Sequence, residues 1–299
     1  MFAHLAINFF ITRKIPIFAV KFKITIHYTM DINKVLFISQ EIAPYLPDSE
    51  MATASRMLAQ GVQEKGIEVR TFMPKYGSIN ERRNQLHEVI RLSGMNLIID
   101  DTDHPLVIKV ATLQPARLQV YFIYNEDYFN PNITKELEID SHPEDNDERS
   151  IFYVRGVLET VKKLRWIPSV IQCSGWVTAL APLYIKKFYS DDPSYRDTKV
   201  VMSLFDEKMV APLDEKMAEK LKCDGFTDED LAPIFDKQAS YIDLMKLAIG
   251  NCDAVMQCSP NVDPEVLKLV EESKLPFLAY QEGDNVEMVN RCMDFYHSL

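Results

Sequence analysis

The segments Lys34-Val-Leu-Phe-Ile-Ser39, 53–65 and Ile67-Glu-Val-Arg-Thr-Phe72 decide the fold of this chain. The first is an unbroken apolar run, which is typical of a buried strand. The second repeats apolar residues at the spacing of an amphipathic helix, and the third has the composition of another strand. Together the three segments predict a βαβ unit at the start of an α/β fold.

The loop between the first strand and this helix, Gln40-Glu-Ile-Ala-Pro-Tyr-Leu-Pro-Asp-Ser-Glu50, contains no glycine. In βαβ units this loop usually grips the ligand, and a phosphate cradle needs backbone N–H groups that approach the phosphate closely. Pro44, Pro47 and Glu50 oppose that approach, because proline offers no N–H and a carboxylate repels phosphate. We therefore expect a nucleotide-binding type of scaffold whose loop is unsuited to phosphate.

Apolar runs recur along the rest of the chain and alternate with helical or loop segments. This alternation predicts an α/β fold with a Rossmann-like, doubly wound and mostly parallel sheet. Two runs, 106–111 and 118–124, are bridged by a short polar segment and predict an inserted β-hairpin. The other predicted strands are 34–39, 67–73, 168–173, 199–205, 253–258 and 275–280, and the predicted helices are 53–65, 148–164, 176–189, 214–222, 238–249, 263–273 and 284–297.

Residues 1–29 differ from the rest of the chain, since they are rich in Phe and Ile and contain no acidic residue. Their longest uncharged run, 1–12, is too short to span a bilayer, and no small-residue cleavage site follows it. Met30 looks like a natural start that leads directly into the first strand. We therefore predict that 1–29 are an extension outside the fold and that 30–299 form one domain.

Charge and cysteine usage restrict the partners and the compartment. The whole chain carries a formal charge of −11, and the four basic side chains of the extension leave −15 on residues 30–299. Such an acidic body is unsuited to nucleic acid or to an anionic membrane. The cysteines are odd in number and form no CxxC pair, so we expect reduced thiols, no metal and a cytoplasmic location. They are Cys173, Cys223, Cys252, Cys258 and Cys292.

Several motifs resemble one known family. Ser39-Gln-Glu-Ile-Ala-Pro44 is similar to a Ser-Glu-x-x-Pro motif that follows the first strand. Asp145-Asn-Asp-Glu-Arg149 is similar to an Asp-Asn-x-Glu-Arg motif at the start of a helix. These motifs resemble the N-terminal, acceptor-side domain of bacterial glycogen and starch synthases, the retaining GT-B glycosyltransferases of family 5. The resemblance covers most of 30–283 and implies one half of a GT-B architecture. We expect Asp145 or Asn146 to cap the second helix and Arg149 to lie in its exposed first turn.

The chain departs from the family where the resemblance implies chemistry. In the family a Lys-x-Gly-Gly-Leu loop follows the first strand, whereas here Pro47 stands at the lysine and Ser49-Glu50 replaces the glycines. Gln172, Ser174, Gly175 and Val177 likewise stand where the family shows His, His, Asp and His, and Phe205-Asp206 replaces His-Asn. The side chains of Gly175 and Val177 cannot donate a hydrogen bond or transfer a proton. We predict no catalytic residue, and name Glu41, Gln172, Ser174, Trp176 and Asp206 as candidate sugar-binding residues.

The resemblance also implies a donor-binding half, which we expect this chain to lack. The family reaction transfers glucose from ADP-glucose to an α-1,4-glucan, and a second Rossmann-like domain neutralises the departing diphosphate. Only 39 residues follow Pro260, which is too few to build such a domain. We expect no cofactor, and a chain that is inactive alone or dependent on a separate glycosyltransferase subunit.

Two hypotheses of function therefore stay open. The first is a synthase homologue that handles an α-glucan, and the second is a non-catalytic scaffold or regulatory protein that uses the fold for protein contacts, for example in a homo-oligomer. Tyr121, Tyr124, Tyr128 and Phe129 fit a sugar-stacking surface less well than an ordinary hairpin core. A hydrolase is disfavoured, because Cys173-Ser174-Gly175 is not a Gly-x-Ser-x-Gly nucleophile elbow.

Overall fold

Strand β1 (Lys34–Ser39) lies in the middle of the sheet in a computed structural model that describes residues 32–130 and 143–299. It pairs in parallel with β2 (Glu68–Pro74) on one side and with β7 (Val170–Ser174) on the other. Residues 35–39 are all buried, which explains why this segment is an unbroken apolar run. The predicted extension, 1–29, lies outside the described residues.

The sheet has ten strands in the order β10-β9-β8-β7-β1-β2-β6-β5-β3, with β4 paired to β5. The parallel strands run from β6 to β10 across its centre, and the pairs formed by β5 are antiparallel. The remaining strands are β3 (His87–Glu88), β4 (Met95–Ile99), β5 (Thr102–Leu113), β6 (Leu118–Tyr124), β8 (Lys199–Leu204), β9 (Ala254–Gln257) and β10 (Phe277–Leu278).

The helices are α1 (Glu50–Glu64), α2 (Glu126–Phe129), α3 (Asn146–Lys163), α4 (Ala181–Leu183), α5 (Met217–Lys222), α6 (Tyr241–Ile249), α7 (Pro264–Ser273) and α8 (Asn285–His297). The helix predicted over 176–189 is divided into a 3-10 turn (Trp176–Thr178), α4 and a π turn (Tyr184–Phe188). Pro182 accounts for the break, because it lacks the N–H that a continuous helix from Trp176 requires. No helix within 32–130 or 143–299 is both long enough and apolar enough to cross a bilayer.

The winding of the sheet changes direction between β1 and β7. The chain leaves β1 through α1 towards β2, and it returns from β6 through α3 to β7, after which it continues outward to β10. Right-handed crossovers place α1 and α3 on opposite faces of the sheet. The carboxyl ends of β1 and β7 therefore flank the topological switch point, where open α/β sheets bind their ligands.

The predicted α/β fold and its inserted hairpin are confirmed, with β5 and β6 paired antiparallel over seven residue pairs. The short strands β3 and β4 were not predicted. Both pair with the long strand β5, which begins at Thr102 and so starts before the predicted 106–111. The hairpin is thus one part of a larger antiparallel extension at this edge of the sheet.

The first turn of α3 corrects one expectation from the sequence. Asp145 occupies the N-cap position, but its carboxylate pairs with the guanidinium of Arg149 at 3.0 Å and makes no capping bond. The Arg149 side chain is fully buried, and Lys220 of α5 binds the carboxylates of Asp147 and Glu148 at 2.8 and 2.6 Å. This turn lies inside the protein because α5 covers it, so the expectation of an exposed Arg149 was wrong.

The C-terminal helix α8 covers the sheet beside α1. Gly61 of α1 faces Val289 of α8 so closely that a Cβ at residue 61 would collide with the valine methyl groups. Tyr296, near the end of α8, is completely buried against β7. Glycine at position 61 therefore lets the two helices approach each other and lets α8 close the core.

All five cysteines are unpaired, and only Cys223 is exposed. Burial raises the pKa of the Cys252 and Cys292 thiols to about 12, and it also raises the pKa of Cys173 and Cys258. Thiol reagents attack the thiolate, which these four groups do not form near neutral pH.

We predict that one thiol, that of Cys223, reacts rapidly with a chromogenic disulfide reagent in the native protein at pH 8. All five should react in denaturant, and Cys223→Ser should abolish the rapid phase. Rapid modification of a second thiol before unfolding would show that the core is open to solvent.

Candidate functional site

The side chain of Gln40 fills the crevice at the topological switch point. Its backbone N–H donates to the carbonyl of Ser174 at 2.8 Å, which extends the pairing of β1 with β7 beyond the strands. Its Oε1 accepts a hydrogen bond from the N–H of Val177 at 3.3 Å. Gln40 and Ser174 are both buried, so the place where this fold normally receives a ligand is occupied by the chain itself.

Gly175 makes this arrangement sterically feasible. It has a φ of +94°, in a region that L-amino acids rarely adopt, and a Cβ there would collide with the side chain of Gln40. The family resemblance places an aspartate at this position. Gly175 therefore does more than remove a carboxylate, because it also makes room for Gln40.

A carboxylate from the loop after β8 lies beside this crevice, at the carboxyl edge of the sheet. Glu207 Oε1 accepts the N–H of Trp176 at 2.7 Å. Burial, and then the nearby Glu207 carboxylate, raise the pKa of Tyr241, so its phenol stays protonated. The backbone N–H of Trp176, which faces the loop after β8, is therefore already bound to an anionic group of the protein.

The amino end of α1 is capped from within the chain. The Ser49 hydroxyl oxygen accepts the N–H of Ala52 at 2.9 Å, and the same hydroxyl donates to Glu41 Oε2 at 2.5 Å. Glu50 adds a further carboxylate in the first turn. Because a phosphate at this helix end would meet both carboxylates, the predicted unsuitability of the loop has a direct structural cause.

The structure places the predicted sugar-binding residues at the carboxyl ends of three adjacent strands, but three of the five are buried. Gln172, Ser174 and Trp176 expose 2% of their surface or less, whereas Glu41 is half-buried and Asp206 is exposed. Sugar binding by these residues stays a prediction. In this conformation only Glu41 and Asp206 are accessible to a ligand.

Gln172 is fully engaged in the core. Its Nε2 donates to Ser203 Oγ on β8 at 2.7 Å, and its Oε1 accepts the hydroxyl of Tyr296 from α8. The amide thus ties β7 to β8 and to the C-terminal helix. Both polar atoms of the amide therefore have hydrogen-bond partners inside the protein, as buried polar groups generally do.

The hairpin aromatics are mainly core residues. Tyr121, Tyr128 and Phe129 are buried, and Tyr124 is partly exposed with its hydroxyl bound to Glu126 at 2.6 Å. Cys173, the residue before Ser174, is also completely buried. These positions offer neither an open stacking surface nor an accessible nucleophile.

Sequence reasoning missed the residues that close the site: Gln40, Glu207 and Tyr296. Gln40 directly precedes Glu41, and Glu207 directly follows Asp206, so both lie one residue away from candidates named on the sequence. Their partners are 137, 31 and 124 residues away along the chain. A motif in one sequence does not reveal contacts of that separation.

A double-mutant cycle at the crevice tests this packing. We predict that Gly175→Ala lowers the free energy of unfolding by about 3 kcal/mol, because backbone strain adds to the collision with Gln40. Gln40→Gly should recover about 1 kcal/mol or more of that loss, since it removes every colliding atom. Gln40→Ala should recover less, because its Cβ is the closest colliding atom.

The free energies are to be measured by urea unfolding of the single and double variants. Equal recovery by the two Gln40 variants, or strict additivity, would show that the Cβ collision at residue 175 is not real.

Comparison with known proteins identifies the family of this chain. A family described as the starch synthase catalytic domain matches residues 34–276. A glycogen synthase of Chlorobium luteolum is 32% identical over 235 residues, which is 78% of this chain and 47% of that protein. One of Chlorobium phaeobacteroides is 35% identical over 227 residues, which is 76% of this chain and 45% of that protein. The chain therefore spans about half the length of the curated relatives it matches.

A solved structure shares the fold. The catalytic domain of starch synthase IV from Arabidopsis thaliana, bound to ADP and acarbose, superposes with a TM-score of 0.66 at 17% sequence identity. The superposition covers 86% of this chain and 53% of the plant protein. Because the family match extends from β1 to the approach of β10, it includes the loop after β1, α3 and the segment after β7. The chain belongs to the starch synthase catalytic domain family, glycosyltransferase family 5.

Proposed function

We propose that this chain is the acceptor-side half of a glycogen or starch synthase-type glycosyltransferase, and that it binds an α-glucan without transferring glucose by itself. The observation that supports this is the closed crevice at the switch point, where Gln40 packs on Gly175. A sugar donor has no open position there. The chain therefore keeps the fold of the family and lacks the open position that the family reaction requires.

The charge at the carboxyl edge supports the same conclusion. Transfer of glucose from ADP-glucose leaves a diphosphate, and cations near that leaving group lower the barrier. The loops 40–50 and 205–208 contain five carboxylates and one lysine, so they repel a diphosphate. The carboxylates are Glu41, Asp48, Glu50, Asp206 and Glu207, and the lysine is Lys208.

Activity in this scheme depends on a second polypeptide. A separate glycosyltransferase subunit would bring the donor and the cations, while this chain would hold the neutral acceptor. The acceptor carries no charge, so the acidic edge does not repel it. We propose a cytoplasmic location, because four buried thiols and one exposed thiol suit a reducing compartment.

One observation favours the second hypothesis, a non-catalytic scaffold or regulatory protein. Gln172, Ser174 and Trp176 are buried and so are withheld from a ligand in this conformation. A scaffold would bind no sugar, and its exposed surfaces would bind a protein partner or a second copy of the chain. Glucan binding therefore distinguishes the two hypotheses.

The test uses the purified chain of residues 1–299. We expect no label to enter glycogen from ADP-[14C]glucose or UDP-[14C]glucose, because no group of the closed crevice stabilises the leaving diphosphate. We expect calorimetry to detect binding of maltoheptaose.

The glycogen synthase of Chlorobium luteolum, assayed in parallel, is the positive control for transfer. Label incorporated by this chain alone would refute the proposed inactivity. Absence of both transfer and maltoheptaose binding would refute the proposed function and favour the scaffold hypothesis.

A further inference from the structure

A groove runs between α1 and the first turn of α8, and neither Gln40 nor Gly175 of the closed crevice lines it. It consists of two adjoining cavities of about 620 and 420 Å³, which share Thr53, Met57 and Asn285 as lining residues. The larger extends along α1 towards its carboxyl end, and the smaller reaches Cys258 and Tyr280 after β9 and β10. No residue named as a candidate on the sequence lines either cavity.

The packing of α8 explains why this groove exists. Val289 contacts α1 at Gly61, where the absence of a side chain allows close approach. In the first turn of α8, one helical turn before Val289, Val286 is 63% exposed and lines the larger cavity. The two helices therefore meet at Val289, and the larger cavity lies between α1 and the first turn of α8.

Polar side chains without internal partners line the groove. Within the described residues, the side chains of Thr53, Arg56 and Asn285 form no hydrogen bond and no ion pair. Arg56 is only partly exposed, although a guanidinium offers five N–H donors. These groups can therefore bind a ligand without breaking any bond inside the protein.

An apolar floor lies between these polar groups. Met57 and Met288 are partly buried against the core, and Val289 is buried. Tyr280 adds a partly exposed aromatic ring at one end of the groove. Planar polar side chains around an apolar floor match a sugar ring, which presents C–H groups on its faces and hydroxyls at its edge.

The charge balance favours a neutral ligand. Arg56 and Lys65 are opposed by three carboxylates that line the same cavities, those of Asp48, Glu50 and Glu64. Net attraction for a phosphate or for a polycation is therefore small. The groove follows α1, whose 15 residues span about 22 Å, so its shape suits an extended ligand more than a compact one.

We infer that the groove between α1 and the first turn of α8 binds a linear α-1,4-glucan. This inference rests on the proposed function and names the surface at which the glucan binds. The glucan lies along α1, its ring faces contact Met57 and Met288, and its hydroxyls are bound by Thr53, Arg56 and Asn285. Binding leaves the crevice at Gly175 closed.

Two measurements on the full-length chain test this assignment. Calorimetry compares maltoheptaose with cellohexaose in the wild type, in Arg56→Met/Asn285→Ala, and in Arg91→Met. Arg91 is exposed and makes no ion pair within the described residues, so its substitution is a matched control. We expect binding of maltoheptaose only, weakened about tenfold in the double variant and unchanged in the control.

Hydrogen–deuterium exchange locates the ligand without any substitution. Maltoheptaose should slow exchange in peptides that cover 49–65 and 280–289. If the double variant binds maltoheptaose as tightly as the wild type and the protected peptides lie elsewhere, the groove is not the binding site. The proposed function would still stand. No binding of maltoheptaose to the wild type would overturn both.

Discussion

The parallel pairing of β1 with both of its neighbours is the constraint on which the rest of the structure depends. It places the end of β1 beside the end of β7, and the bond from the Gln40 N–H to the Ser174 carbonyl continues that pairing by one residue. Gln40 is then held over Gly175, where a ligand lies in other proteins with open α/β sheets. This backbone hydrogen bond, the bond from the Val177 N–H and the space left by Gly175 together keep Gln40 in the crevice.

Most of the fold was predictable from the sequence because it depends on local patterns. The mainly apolar segments of β1, β7 and β8 identify buried strands, and the first and last helices were placed within a few residues. The strands β3 and β4 were not predictable, since their pairing with β5 stabilises them more than their own composition does. The sequence contains one signal for the interruption of the helix after Trp176, namely Pro182.

The candidate site was predictable in part. The resemblance identified the positions that differ from the family, namely Pro47, Gln172, Ser174 and Gly175. It did not show that Gln40 packs on Gly175 or that Tyr296 binds Gln172, because the two residues of each pair are more than 100 residues apart in the sequence. Arg149 shows the same limit, since α5 buries a side chain that its own helix pattern leaves outside. The local sequence pattern predicts the secondary structure element, whereas tertiary contacts determine which of its side chains are exposed.

The hydrogen bond between Tyr296 and Gln172 also has a consequence for folding during synthesis. Gln172 lies in the centre of the sheet, but its partner Tyr296 is synthesised 124 residues later. Until α8 emerges, the face of β7 and β8 that it covers is exposed to solvent in the nascent chain. Synthesis interrupted before α8 therefore yields a product with an open apolar core, which is the kind of surface that chaperones bind and proteases attack.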